Sequence, residues 1–213
     1  MSSVAVIDYG MGNLHSIEKA LQHASPESDI QITSDIAHIK QADRVVFPGV
    51  GAIRDCMLAL NQSGLSDTIK EVAASKPFLG ICLGMQALLT QSDENNKTAC
   101  LGVFNGRVEH FPSGMVDKQG NRLKIPHMGW NQVIQKDHPL WQDIPQNSRF
   151  YFVHSYFVKP ENSKETIAST EYPEMFCSAL AKDNIFAVQF HPEKSQTVGI
   201  QLLRNFLSWD GKC

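Results

Sequence analysis

The chain has 213 residues, a formal net charge of −3 and a pI near 6.2. That length allows one large domain, and the balanced charge gives no electrostatic case for nucleic-acid binding. No apolar run approaches the ~20 residues of a membrane-spanning helix, and Met1-Ser2-Ser3-Val4 lacks the basic and apolar regions of a signal peptide.

Val4-Ala5-Val6-Ile7 predicts a short buried strand running into Asp8-Tyr9-Gly10-Met11-Gly12-Asn13. Leu14, Ile17, Ala20, Leu21 and Ala24 then mark one face of a helix, making the opening unit of an α/β sheet. The glycines between them lack the full pattern of a dinucleotide or phosphate loop. Ile30–Thr33 alternates like a strand, and Ser34-Asp35 suits the cap of a short helix through Ala42. Arg44-Val45-Val46-Phe47 is a second buried run, ending in Pro48-Gly49-Val50-Gly51. A strand followed by Gly-x-Gly exposes successive backbone N–H groups, which suits an oxyanion. Met57 to Val72 predicts helix, broken near Ser63-Gly64.

Next comes Pro77-Phe78-Leu79-Gly80-Ile81-Cys82-Leu83-Gly84-Met85-Gln86. Phe78 to Ile81 reads as a strand buried on both faces, and from Leu83 the spacing turns helical, with a helix expected to about Gln91. Cys82 therefore stands at a strand-to-helix turn flanked by Gly80 and Gly84, the sulfur counterpart of a G-x-S-x-G nucleophile elbow. A helix N-terminus lowers a cysteine pKa, and the free N–H of Leu83 is available to an oxyanion.

Ser92 to Lys97 is a polar turn, and residues 99–150 are broken by glycine and proline into short strands and loops. Phe150 to Val158 predicts one long aromatic strand, and Thr166–Ser169 and Ser178–Ala181 predict hairpin-linked strands. Ile185 to Phe190 predicts a strand that delivers His191 to its carboxyl end, with Pro192 fixing the turn and Glu193 able to orient the imidazole. Ser195 suits the cap of a closing helix carrying Val198, Ile200, Leu202, Leu203, Phe206 and Leu207. Alternating β/α units followed by an antiparallel extension of the same sheet, in one domain over residues 1–213, are therefore expected.

Cys82 as nucleophile, His191 as general base and then acid, and Glu193 as the group holding its tautomer make a thiol hydrolase of amides or esters. The five cysteines, Cys56, Cys82, Cys100, Cys177 and Cys213, are scattered without a C-x-x-C pair. Neither a disulfide framework nor a metal site is expected, which fits a reduced, cytoplasmic chain without a cofactor.

Gly-Ile-Cys-Leu-Gly-Met-Gln and Gln-Phe-His-Pro-Glu-Lys-Ser resemble the class I glutamine amidotransferase family. The resemblance runs from the first strand to the last helix. It implies a flavodoxin-like or α/β-hydrolase-like sheet with helices on both faces and hydrolysis of glutamine to glutamate and ammonia. It assigns the triad to Cys82, His191 and Glu193 and the oxyanion strand to Gly49, Val50 and Gly51, with Leu83 opposite. Gln86 and Glu94 match glutamine-binding positions. Asp8 to Asn13, Pro126-His127-Met128-Gly129-Trp130-Asn131 and Tyr151 to Tyr156 narrow the resemblance to the branch that serves histidine biosynthesis. There the implied partner is a separate (β/α)8-barrel cyclase subunit in a heterodimer, with no cyclase fused to this chain. His127, Trp130, Tyr151 and Lys194 are the implied partner face, and the Pro48–Gly51 loop is expected to aim its amide correctly only on docking.

A physical argument also favours a partner, because ammonia released into water becomes ammonium and diffuses away. Three other readings stay open from the residues: a glutaminase serving another acceptor, a partner-binding module without catalysis, and a stand-alone cysteine hydrolase. Related subunits for other acceptors usually resemble Cys-Leu-Gly-His-Gln at the elbow, where Met85 stands here.

Overall fold

The computed structural model describes residues 2–212. Its first half alternates strand and helix: β1 (Ser3–Ile7), α1 (Leu14–Ala24), β2 (Asp29–Thr33), α2 (Ile36–Gln41), β3 (Arg44–Gly49), α3 (Ile53–Gln62), α4 (Leu65–Ala73), β4 (Phe78–Cys82) and α5 (Leu83–Ala87). The second half is mostly strand: β5 (Gln91–Ser92), β6 (Thr98–Ala99), β7 (Gly106–His110), β8 (His127–Gln132), β9 (Ile134–Gln135), β10 (Arg149–His154), β11 (Tyr156–Pro160), β12 (Thr166–Glu171), β13 (Met175–Lys182) and β14 (Ile185–Val188). Helix α6 (Gln196–Ser208) closes the chain.

The main sheet runs β2-β1-β3-β4-β14-β13-β11-β7-β5-β6, with β12 and β9 joined through β13. From β2 to β14 the neighbours are parallel, and β13, β11 and β7 then continue it antiparallel. The sheet is thus α/β with an antiparallel extension, as the residue pattern predicts. β8 and β10 pair separately as a two-stranded sheet.

The parallel strands are apolar on both faces because both are covered. Val4, Val6, Val46, Leu79 and Ile81 face the cluster built on α1 and α6. Ala5, Ile7, Val45, Phe47 and Phe78 face the opposite cluster, which holds Ile39, Ile53, Leu65 and Ile69 from α2, α3 and α4. Each fully buried side chain such as Leu202, Leu203 or Phe206 contributes about 1.5–3 kcal/mol of apolar burial. The C-terminal carbonyls of α6 are satisfied by Arg44, whose Nε and Nη2 donate to Phe206 O (3.2 Å) and Trp209 O (2.9 Å).

Two elements depart from the sequence expectation. Helix α5 stops at Ala87 instead of reaching Gln91. The carbonyls that would receive its next turns are taken by the following loop: Leu101 N–H bonds Ala87 O (2.9 Å), Val103 and Phe104 N–H bond Leu88 O (both 2.9 Å), and Gly102 N–H bonds Leu89 O (2.8 Å). The long aromatic strand is in fact two strands, divided at Ser155. Up to His154 it pairs with β8, and from Tyr156 it pairs with β7 in the main sheet. One apolar run therefore serves two sheets, and periodicity alone does not mark the switch.

Candidate active site

Strand β4 lies between β3 and β14, with Gly49 opposite Cys82 and Val188 opposite Ile81. The carboxyl ends of three parallel strands thus bring Gly49–Gly51, Cys82 and the Gln189–His191 segment to one edge, the position where open α/β sheets place their sites.

Cys82 adopts φ +53° and ψ −107°, a conformation that L-residues avoid. Pairing on both sides of β4 and the start of α5 hold it there. Gly84 makes the turn possible, since a Cβ at that position would lie 1.9 Å from Phe47 O. A Cβ at Gly80 would press on Ala187 Cβ at 3.1 Å and Leu88 Cδ1 at 3.2 Å. The two glycines of the elbow are therefore packing requirements that let α5 sit against the sheet.

Cys82 lines a cavity of about 310 Å³, together with Val50, Leu83, Gln86, Glu94, Tyr156 and His191. His191 Nδ1 bonds Glu193 Oε1 at 2.8 Å, with both side chains almost wholly buried. Its Nε2 is buried and makes no hydrogen bond to any described residue. Burial by itself lowers the pKa of this imidazole, but the neighbouring Cys82 and then Glu193 outweigh it, and the net shift is upward. Cys82 and Glu193 thus both push His191 toward its charged form, with Glu193 holding Nδ1.

The Pro48–Gly51 loop is tightly braced. A Cβ on Gly49 would meet Tyr9 Oη at 2.3 Å and Leu83 Cβ at 2.9 Å, so only glycine fits between them. Tyr9 Oη donates to Pro48 O at 3.0 Å, and burial pushes the phenol pKa far up, keeping it a neutral donor. Gly51 has φ +99°, a backbone setting that favours glycine. Leu83 is the first residue of α5, so its N–H has no helical acceptor. Glu94 Oε2 accepts from Ile53 N–H, the first amide of α3, at 3.0 Å, tying the polar turn to the helix that follows the loop.

Gln86 lines the cavity, yet its amide nitrogen is committed inward, donating to Tyr156 O and Gln189 Oε1, both at 3.0 Å. Any contact it makes to a substrate falls to its carbonyl oxygen.

The family model described as "Glutamine amidotransferase class-I" matches residues 5–209. The chain belongs to the class I glutamine amidotransferases. Two similar relatives carry the name imidazole glycerol phosphate synthase subunit HisH. That of Methylococcus capsulatus is 58% identical, over 99% of this chain and 98% of its own. That of Pseudomonas putida is 54% identical over 100% of both chains. Among solved structures, PurLQS from Thermotoga maritima has a TM-score of 0.73 at 14% identity, covering 97% of each chain. The Trypanosoma brucei CTPS glutaminase domain with bound acivicin has a TM-score of 0.63 at 16% identity, covering 100% of this chain and 98% of that one. At such identities these structures speak for the shared amidotransferase fold alone.

Of the four residues expected on a partner face, three lie together at the surface of this amidotransferase. Trp130 is exposed and meets Tyr151 edge-to-face at 6.1 Å, and Lys194 Nζ stands 6.0 Å from the Tyr151 ring centre. Met128 and Val153 extend the same outward face of the β8–β10 pair. His127 does not belong there. It is buried, stacked against Phe152 and Tyr172, because alternation along β8 turns it to the opposite face from Met128.

His127 instead forms a buried pair with His154. His154 Nδ1 lies 2.7 Å from Tyr156 O, so it carries the proton, and its Nε2 accepts from His127 Nδ1 at 2.9 Å. His127 Nε2 then accepts from Asn131 Nδ2 at 3.2 Å. Burial depresses the pKa values to about 4 for His127 and about 3 for His154, so both are neutral at pH 7. The unfolded chain, with histidines near 6.5, binds more protons than the folded one below that pH. The stability contribution of neutral pairing is therefore complete above about pH 6.5 and is lost as pH falls toward 4. His127→Gln is expected to flatten the fall in unfolding free energy, followed by urea titration between these limits, by up to about 1.4 kcal/mol per pH unit. An unchanged slope would contradict the neutral assignment.

Ser195 stands at the N-cap position of α6 as expected, while the sequence pattern gave no role to Tyr9 or Gln189. Ser195 makes no side-chain cap on α6. Its Oγ donates to His191 O (2.6 Å) and accepts from Tyr151 N–H (3.0 Å), so it anchors the His191 loop to β10.

Proposed function

We propose that this chain is the glutaminase subunit of imidazole glycerol phosphate synthase, a single domain over residues 1–213 that acts in the cytoplasm. The observation that carries the reading is the strained Cys82 elbow facing an imidazole whose other nitrogen is held by Glu193 at 2.8 Å. The 54–58% identity to HisH subunits along the whole chain supports the histidine-pathway assignment.

In this reading the Cys82 thiolate attacks the side-chain carbonyl carbon of glutamine, and the carbonyl π electrons move onto oxygen. The oxyanion is received by backbone N–H groups of the Gly49–Gly51 loop and of Leu83. As the C–N bond breaks, His191 gives its Nε2 proton to the departing nitrogen, which leaves as ammonia, and a glutamyl thioester remains. His191 then takes a proton from water, the hydroxyl adds to the thioester, and glutamate leaves with the thiolate restored. Glu193 keeps the Nδ1 proton in place throughout. Gln86 through its carbonyl oxygen and Glu94 through its carboxylate contact the amino-acid end of glutamine.

The ammonia passes to a (β/α)8-barrel cyclase subunit forming a heterodimer with this chain. Met128, Trp130, Tyr151, Val153 and Lys194 form the docking face, an aromatic and apolar patch beside the cavity of the kind that anchors interfaces. The Tyr9 bond to Pro48 O braces the oxyanion loop in the setting seen here, and in this reading docking selects a second setting.

Glutamate release by the chain alone is expected to be slow. It should rise on the order of tenfold to a hundredfold when the cyclase and its nucleotide ligand are added. Full activity without a partner would overturn the gating, and activation by a different synthase subunit would overturn the acceptor.

A further inference from the structure

Behind the Cys82 sulfur lies a polar group that no step above uses. Gln189 is fully buried, two residues before His191, and its backbone N–H bonds Ser178 O at 3.0 Å. Its side-chain Nε2 is 3.7 Å from Cys82 Sγ, and its Oε1 is 3.0 Å from Gln86 Nε2.

The direction of this amide follows from a chain of obligatory partners. The Tyr156 carbonyl can only accept, and it takes Gln86 Nε2 at 3.0 Å and His154 Nδ1 at 2.7 Å. Gln86 must therefore turn its nitrogen inward, and that same nitrogen faces Gln189. Gln189 must answer with its oxygen, which leaves its nitrogen toward the sulfur. A flipped Gln189 would set N–H against N–H at one end and a carbonyl oxygen against an anionic sulfur at the other.

We propose that Gln189 is a catalytic residue, its side-chain N–H donating to the Cys82 thiolate, and that Gln86 is a positioning residue acting through it. The inference rests on reading Cys82 as the nucleophile of the glutaminase. A hydrogen bond to a charged acceptor is roughly twice as strong as a neutral one, and burial strengthens it further. The donor meets full charge on sulfur before attack, little charge in the thioester, and full charge again when sulfur leaves. It therefore favours thiolate formation and thioester breakdown, and it keeps the sulfur aimed into the cavity.

The test follows Cys82 itself. Alkylation of the Cys82-containing peptide by iodoacetamide is timed by mass spectrometry across pH, in the wild type, Gln189→Leu and Gln189→Asn. Asn keeps a buried amide but is one methylene too short to reach sulfur, and it serves if the leucine variant does not fold. Both variants are expected to react about tenfold more slowly near pH 7, with the deficit narrowing as the pH is raised. A wild-type profile, or a deficit of equal size at every pH, would overturn the proposal. Glutamate release by the wild-type complex is measured in parallel. If that is absent while the alkylation deficit persists, the glutaminase reading fails and the sulfur–amide contact stands.

Discussion

Cys82→Ala is expected to abolish glutamate release, by a factor of about 10,000 or more, while leaving cyclase docking intact. The expectation follows from covalent chemistry. Without sulfur the proposed thioester cannot form, and water attacking glutamine directly gains only what the rest of the cavity supplies. His191→Ala should cost nearly as much, because in the proposed reaction its Nε2 protonates the leaving nitrogen. The double variant should be no slower than either single one, since groups that act as a unit are not additive. Glutamate production in the presence of saturating cyclase and its nucleotide measures all three. Independent, multiplying losses would mean that sulfur and imidazole do not serve the same step.

Gly84→Ala is expected to destabilise the fold by roughly 3 kcal/mol and to lower glutamate release at least about a hundredfold. The obstructing atom is backbone, Phe47 O at 1.9 Å, and behind it Phe47 C at 3.0 Å. Rotating a side chain cannot relieve it. Helix α5 has to lift from β3, which moves the Leu83 amide and changes the aim of Cys82. Gly64→Ala is the comparison. Its φ of +71° carries a conformational cost, but no atom lies within 4 Å of the added carbon. That variant should lose about 1–2 kcal/mol and keep its activity. Thermal melts and turnover of both variants separate the two mechanisms; equal effects on activity would contradict the packing account of the elbow.

What was legible in the sequence divides along a physical line. The elbow, the Gly-x-Gly loop and His191 with Glu193 were legible because each is local. Each places a special backbone or a pair of side chains within a few residues, and the strand-to-helix rhythm assigns them to strand ends. The break at Gly64 was legible for the same reason, and Asp35 does cap its helix by accepting from His38 N–H at 2.9 Å.

The departures come from partners distant in sequence. Helix α5 ends early where residues 101–104 claim the carbonyls of Ala87, Leu88 and Leu89. Ser195 has the right residue type for a cap, but Tyr151 and His191 capture its hydroxyl first. His127 lies in a segment that looks like a surface motif, yet the β8 register against β10 sets it opposite His154 and inside. Gln189 carried one hint, a polar residue in an otherwise apolar strand end. Its partner Gln86 is 103 residues away, so only the folded sheet brings the two amides and the sulfur together.

The most direct measurement is to trap the nucleophile. The complex is incubated with an electrophilic glutamine analogue, digested, and every cysteine peptide is weighed. One adduct is expected, on the Cys82 peptide, formed with loss of glutaminase activity and blocked by excess glutamine. Inactivation with the adduct on Cys56, Cys100 or Cys177, or continued glutamate release with Cys82 fully modified, would contradict it.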